Sequence, residues 1–277
     1  MKEIPSLNAA ALLKRHGLRA DKGLGQNFLQ DPFALEKIIA AAQIQRTDTV
    51  LEIGPGLGSL TRYLAVSAKE VIAVELDQNL LAPLQAILAP YQNVRMIHGD
   101  ILEFSPAELT STADYLVVAN IPYYITSIVI RHLLESHTKP RRIILTIQKE
   151  VAERICAKPG DLSLLALSVQ IYGRPHIAAR IPAAAFFPVP KVDSAVLCVD
   201  IYPVPKIKTE LLNTFFKLIK AGFGQKRKTL RNSLSSGLHI APVAAEEMLT
   251  KANIDPKRRA ETLSIEEWER LCETTKQ

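Results

Sequence analysis

Between residues 49 and 156, short apolar runs alternate with stretches of helical spacing, and few folds accept that pattern. Residues 49–53, 70–75, 94–98, 115–119 and 142–147 are each five or six long and rich in Val, Ile and Leu. Runs of that length and composition read as buried strands. Residues 59–65, 78–88, 127–134 and 149–156 follow them with the spacing of helices. Parallel strands need a crossover, and here three of the four crossovers have helical spacing. The expected core is a parallel sheet covered by helices on both faces.

Right-handed crossovers make such a sheet doubly wound and Rossmann-like. Asp31-Pro32 opens a further helix upstream, with Asp as N-cap and Pro at the first turn. Leu35, Ile38, Ile39 and Ala42 give its apolar stripe. Downstream, β-like runs are expected at 168–172 with 175–179, and at 194–201. The stretch 181–191 between them is too proline-rich for a central strand. Tyr202-Pro203-Val204-Pro205-Lys206 marks a change of register. Beyond it Leu211, Leu212, Phe215, Phe216, Leu218 and Ile219 have helical spacing. The expected division is therefore 1–204, an α/β domain with an N-terminal extension, and 205–277, a small all-helical domain.

Composition removes several classes. No stretch reaches the roughly 18 apolar residues of a membrane span, and the N-terminal residues lack a signal-peptide apolar region. A cytoplasmic protein with no membrane partner is expected. Cys156, Cys198 and Cys272 lie far apart, and the histidines form no HExxH pair, so no metal site is expected. The net charge of +6 is concentrated late in the chain. Residues 203–277 hold 14 Lys/Arg against 9 Asp/Glu. Between Glu210 and Glu246 there is no acid, while Lys217, Lys220, Lys226, Arg227, Lys228 and Arg231 occur there. That segment reads either as a solvated helix face or as a surface for a phosphate backbone.

Ligands of open α/β sheets bind at the carboxyl ends of the strands. The first expected strand ends in Gly54-Pro55-Gly56-Leu57-Gly58, a turn that lets a ligand approach the backbone. The dinucleotide fingerprint needs its third glycine where this chain has Ser59, which weighs against a nicotinamide dehydrogenase. Glu75 ends the second strand, placed to accept from both hydroxyls of a ribose. Asp100 follows the third, where a carboxylate can accept from an adenine amino group, and Asn120 ends the fourth. Each polar residue alone could be a cap or a turn former. Together they describe adenine, ribose and a polar tail without pyrophosphate, which is S-adenosylmethionine (SAM).

Asn120-Ile121-Pro122-Tyr123 then points to the methyl acceptor. An exocyclic aromatic amine is a poor nucleophile because its lone pair is delocalised. Two acceptors on its N–H groups, Asn120 Oδ1 and the Ile121 carbonyl, would localise and aim that pair. Tyr123 would stack on the base, a contact worth on the order of 1–3 kcal/mol. Phe186-Phe187-Pro188 could supply a second aromatic face.

Gln26-Asn27-Phe28-Leu29, Glu52-x-Gly54-x-Gly56-x-Gly58, Asn120-Ile121-Pro122-Tyr123, Phe186-x-Pro188-x-Pro190-Lys191-Val192-Asp193-Ser194 and the basic run from Phe223 occur in that order. The chain resembles the ribosomal RNA adenine N6-dimethyltransferases over nearly its whole length. The resemblance implies a SAM-dependent methyltransferase domain built on a mostly parallel seven-stranded sheet, its seventh strand antiparallel, and a helical C-terminal domain that binds RNA. It implies dimethylation of two adjacent adenines near the 3′ end of small-subunit (16S) rRNA, on the 30S subunit, by a monomer with a role in subunit biogenesis. Matched by motif, Asn27, Leu29, Gly54, Gly56, Glu75, Asp100 and Asn120 would bind SAM. Asn120, Tyr123 and Phe186 would act on the adenine, with Phe187 the rival for the second ring. Lys226, Arg227, Lys228 and Arg231 would contact RNA. Two rival readings share these motifs: an erythromycin-resistance-type methyltransferase of large-subunit (23S) rRNA, and an assembly factor whose methylation is incidental.

Overall fold

The computed structural model describes residues 4–110 and 112–275. In chain order its elements are α1 (Ala9–Arg15), β1 (Phe28–Leu29), α2 (Pro32–Ala42), β2 (Thr49–Ile53), α3 (Ser59–Ser67), β3 (Glu70–Glu75), α4 (Gln78–Leu88), β4 (Val94–His98), α5 (Pro106–Leu109), β5 (Tyr115–Asn120) and α6 (Thr126–Glu135). There follow β6 (Arg142–Gln148), α7 (Lys149–Ile155), α8 (Leu164–Gln170), β7 (Gly173–Ile181), β8 (Phe186–Phe187) and β9 (Ser194–Ile201). The remaining helices are α9 (Leu212–Phe223), α10 (Leu230–Leu238), α11 (Pro242–Lys251) and α12 (Ile265–Thr274).

Seven strands form one sheet in the order β4-β3-β2-β5-β6-β9-β7. β2 to β6 pair in parallel, and β9 runs antiparallel to β6. The chain steps outward from β2 to β4, then returns to lay β5 on the other side of β2. That reversal opens a crevice between the carboxyl ends of β2 and β5, where ligands of such sheets bind. The central strands are sealed: Val50, Leu51, Ile72, Val117 and Ile144 are fully buried. At the sheet edge β4 is only partly covered, with Arg95 and His98 exposed. Asp31 caps α2 as its sequence predicts, accepting from Ala34 N at 2.9 Å.

The run 168–172, expected as a strand, is the end of helix α8 and the turn after it. Ser163 starts that helix, its Oγ accepting from Ala166 N at 3.1 Å. A short apolar run fits a buried strand and a buried helix equally by periodicity, and the cap decides for helix. The strand begins only at Gly173, and its Pro175 is tolerated because β7 lies at the sheet edge. Phe186 and Phe187 lie outside the main sheet, pairing with Leu29 and Phe28 in a two-stranded ribbon.

The chain divides into two compact units: residues up to Ala152 with Pro175–Ile201, and Glu153–Arg174 with the residues from Tyr202 on. The division expected at 204/205 assigns Glu153–Arg174 to the first domain. In the structure this segment joins the helical unit instead: Gly160 N and Leu162 N both donate to the Glu261 carbonyl, at 2.9 and 3.3 Å. Within the second unit Phe223 stacks on the buried Trp268, ring centroids 6.2 Å apart.

Candidate active site

A cleft opens over the carboxyl ends of β2, β3 and β5. Its floor is the turn after β2. Gly54 has φ +67°, and a Cβ there would meet nothing within 4 Å, so the space beside it is open to a ligand. Gly56 is constrained differently: at φ +60° a Cβ would stand 3.1 Å from the Phe28 ring.

Glu75, at the end of β3, is nearly buried and organised by backbone amides. Gly56 N donates to Oε2 at 2.9 Å and Asp77 N to Oε1 at 2.8 Å. Burial raises its carboxyl above the ordinary range, and the Asp77 and Gly56 amides offset part of that rise. Asp77 also accepts from Gln26 Nε2 at 2.7 Å. Gln26 thereby fastens the Gln26–Leu29 stretch to the end of β3, leaving Asn27 and Leu29 on the cleft wall. Asp100 lines the cleft and also caps a turn, its Oδ1 accepting from Leu102 N at 2.9 Å. The cap and ligand readings of this residue are compatible, since one carboxylate has two oxygens.

Asn120 sits at the end of β5 with its amide fixed. Nδ2 donates to the Asn27 carbonyl at 3.1 Å, so Oδ1 is the acceptor left for a ligand. Pro122 bars a regular continuation of the chain, and a short 3-10 turn, Tyr123–Ile125, begins after it. The Tyr123 hydroxyl and Ser194 Oγ lie 2.8 Å apart, with Ser194 fully buried at the start of β9. Burial raises the Tyr123 phenol and the Ser194 bond lowers it in part. The two phenylalanines diverge as neighbours on a strand must. Phe186 is buried and on the cleft wall, while Phe187 packs against the cluster of Ala9, Leu13, Phe28, Leu57 and Leu80.

Two residues were given no role by sequence, one lining the cleft and one holding a residue that does. Ser194 stood in a recognised motif, but its partner is 71 positions away. Glu52 carried a visible signal, an acid inside an apolar strand. It is 1% exposed and its Oε2 has no hydrogen-bond partner among the described residues. Burial pushes its carboxyl up to about 8; the Thr61 hydroxyl lies beside it without closing a normal hydrogen bond, and the Glu75 charge adds to the rise.

The description "Ribosomal RNA adenine dimethylase" matches residues 17–277 of the sequence. The chain belongs to that family. The family's relatives include "Ribosomal RNA small subunit methyltransferase A" of Dehalococcoides mccartyi strain CBDB1, 49% identical with 97% of this chain and 93% of the relative covered. The protein of that name from Alkaliphilus metalliredigens is 43% identical, with 94% and 93% covered. Among solved structures, the 23S rRNA methyltransferase ErmE superposes with TM-score 0.71 at 28% identity, covering 91% of this chain and all of that one. A dimethyladenosine transferase from Plasmodium falciparum gives 0.73 at 27%, covering 88% and 95%. The fold thus fails to separate the two kinds of enzyme; sequence identity favours the small-subunit relatives.

SAM, implied by the family, fits this cleft. Among the described residues the wall carries three carboxyl side chains, Glu52, Glu75 and Asp100, and no Lys, Arg or His. Such a wall favours a cationic ligand, and a sulfonium is one. The open space beside Gly54 gives the ligand its backbone contact. Among the described residues no three His, Cys, Asp or Glu side chains form a group that could hold a metal ion. No described helix is long and apolar enough to cross a membrane.

The basic run lies in the second unit. Lys226, Arg227 and Lys228 are exposed in the turn between α9 and α10. Arg231, in the first turn of α10, is partly engaged: its Nη1 donates to Glu246 Oε2 at 3.0 Å.

Proposed function

We propose that this protein uses SAM to dimethylate N6 of two adjacent adenines near the 3′ end of small-subunit rRNA, on the 30S particle, in the cytoplasm. Asn120 carries the reading. Its Nδ2 is committed to the Asn27 carbonyl, so its Oδ1 is a fixed acceptor. An adenine N6 amine placed there donates one N–H to Asn120 Oδ1 and the other to the carbonyl of Ile121, a residue that lines the cleft. Both bonds draw the lone pair out of the ring and fix its direction. SAM, when bound, supplies an electrophilic methyl group. Gly54, Gly56, Glu75, Asp100, Asn27 and Leu29 would hold it.

Neither Asn120 nor the Ile121 carbonyl is a base, and none is needed. The amine becomes acidic on methylation and gives its proton to water. The enzyme acts by orientation, which is worth orders of magnitude when the reacting atoms are held near contact. Tyr123, with its hydroxyl anchored on Ser194, stacks on the adenine, and Phe186 is the second wall. A base inside a duplex cannot enter this cleft, so the adenine is flipped or unpaired. One chain supplies every group named, and a monomer suffices. The exposed cations of the 224–229 turn take the phosphate backbone.

The test is transfer of labelled methyl from SAM to unmethylated small subunits, protein-free small-subunit RNA and large-subunit RNA, with the modified nucleotides identified. Small-subunit dimethyladenine is expected; label confined to large-subunit RNA overturns the reading. Asn120→Ala should lower transfer by at least about 100-fold, the scale of losing a positioning group, while subunit binding persists. Equal loss of both would move Asn120 from chemistry to RNA binding.

A further inference from the structure

Tyr124 is half outside the cleft that its neighbour Tyr123 serves. It is 58% exposed, a large value for an aromatic residue, yet it belongs to the cleft wall. Its ring is backed by the chain rather than by loose side chains. A Cβ on Gly25 would stand 3.2 Å from two Tyr124 ring carbons and 3.4 Å from Pro122 Cβ. Gly25 has φ +61°, so this close approach of ring to backbone depends on glycine. Four residues further along, in the first turn of α6, Ile128 is also 53% exposed. The Tyr124 ring makes a small apolar shelf at the cleft mouth.

The charge beside that shelf selects its occupant. Gly25 closes a turn with Lys22, its N donating to the Lys22 carbonyl at 3.1 Å. Lys22 is exposed. The acid next to it, Asp21, has its Oδ1 taken up by Gly23 N and Leu24 N at 2.7 and 3.4 Å. A flat apolar face beside an exposed cation suits a nucleobase on a phosphate backbone.

We propose that Tyr124 is the stacking platform for the nucleobase next to the target adenine. The proposal rests on the reading above, in which a second adenine adjoins the target. While one adenine is held by Asn120 and Tyr123, its neighbour lies on the Tyr124 ring outside the cleft. The pair then advances or withdraws by one nucleotide for the next target. The shelf therefore sets a preference for a purine beside the target and shortens the interval between the two modifications.

The test is a cycle across protein and RNA. Unmethylated small subunits carry either the adenine pair or a single target adenine with uridine as its neighbour. Wild-type enzyme, Tyr124→Ala, Tyr124→Leu and Tyr124→Trp are compared for kcat and KM, with SAM binding measured for each. Wild type should show KM raised a few-fold by uridine, which stacks less strongly than adenine. Tyr124→Ala and Tyr124→Leu should raise KM on the adenine pair by about tenfold, within the range of one base–aromatic stack, and lose the discrimination. Tyr124→Trp should restore it, and SAM affinity should not move. The proposal is overturned if Tyr124→Leu discriminates as wild type does, since apolar cover alone would then suffice. It is also overturned if wild type ignores the neighbour. If wild type methylates no small subunit at all, the parent reading has failed and this one falls with it.

Discussion

Tyr123 and Ser194 meet across the sheet, and their contact makes a prediction at the scale of single atoms. A partly buried hydroxyl pair 2.8 Å apart contributes about 0.5–1.5 kcal/mol net. Ser194→Ala should therefore lower kcat a few-fold by loosening the Tyr123 ring. In a Tyr123→Phe background the same change should cost nothing, because the hydroxyl it served is gone. Equal effects in both backgrounds would make Ser194 a packing residue only. Glu52 makes a second prediction. Its folded carboxyl titrates near 8 against an ordinary 4.5. A raised acid stabilises the fold fully below its unfolded value and loses that contribution as pH climbs through the folded one. Thermal stability should fall between about pH 5 and pH 8, and Glu52→Gln should flatten that decline. A cationic ligand in the same cleft favours the ionised form. SAM binding at pH 7 should thus release protons, read as a heat that varies with the ionisation enthalpy of the buffer; no variation would show that Glu52 does not sense the ligand. These residues were unequally legible. Asn120, Glu75 and Asp100 stand at strand ends, and a strand end can be read from a run of side chains. Ser194 could be seen in a motif, but no local pattern reveals a partner 71 residues away.

At the scale of elements, the five alternating strands were legible because each is short, β-branched and closed by a polar or glycine stop. β2, β3 and β4 coincide with the expected runs, and β5 and β6 extend them by one residue. Helix α8 was misread because its apolar residues run together, which suits either state until Ser163 is recognised as a cap. The crossing of α9 and α10 was not legible at all, since it depends on one missing Cβ. A Cβ at Gly237 would stand 2.6 Å from Ala221 Cα, a backbone atom that cannot swing aside. Alanine gains roughly 1 kcal/mol over glycine in a helix, while overpacking costs about 1–3 kcal/mol. The second term should win. Gly237→Ala is expected to lower the unfolding midpoint of the full chain by a few degrees, at about 2–4 °C per kcal/mol. A raised midpoint would mean that the helices part freely at this crossing.

For the whole molecule, charge is divided as unevenly as structure. The tail from residue 203 carries +5 of the total +6, and the compact helical unit is built largely from that tail. The basic run falls in this unit, whose full membership the sequence did not reveal because Glu153–Arg174 lies far from the tail in sequence. Cations facing phosphate release counterions on binding, and each contact contributes about −0.9 (duplex) or −0.7 (single strand) to the slope of log affinity against log salt. Lys226, Arg227 and Lys228 are exposed in one turn, whereas Arg231 is shared with Glu246. Reversing the three lysine and arginine charges to glutamate should therefore weaken subunit binding at low salt and flatten the slope by about 2–3. Arg231→Glu alone should do less than any one of them, because part of its charge is already spent on Glu246. SAM affinity should be unchanged throughout, since no cation lines the cleft. An unaltered salt slope in the triple variant would remove this turn from the RNA surface and leave the exposed cations of residues 14–22 as the phosphate contacts to test next.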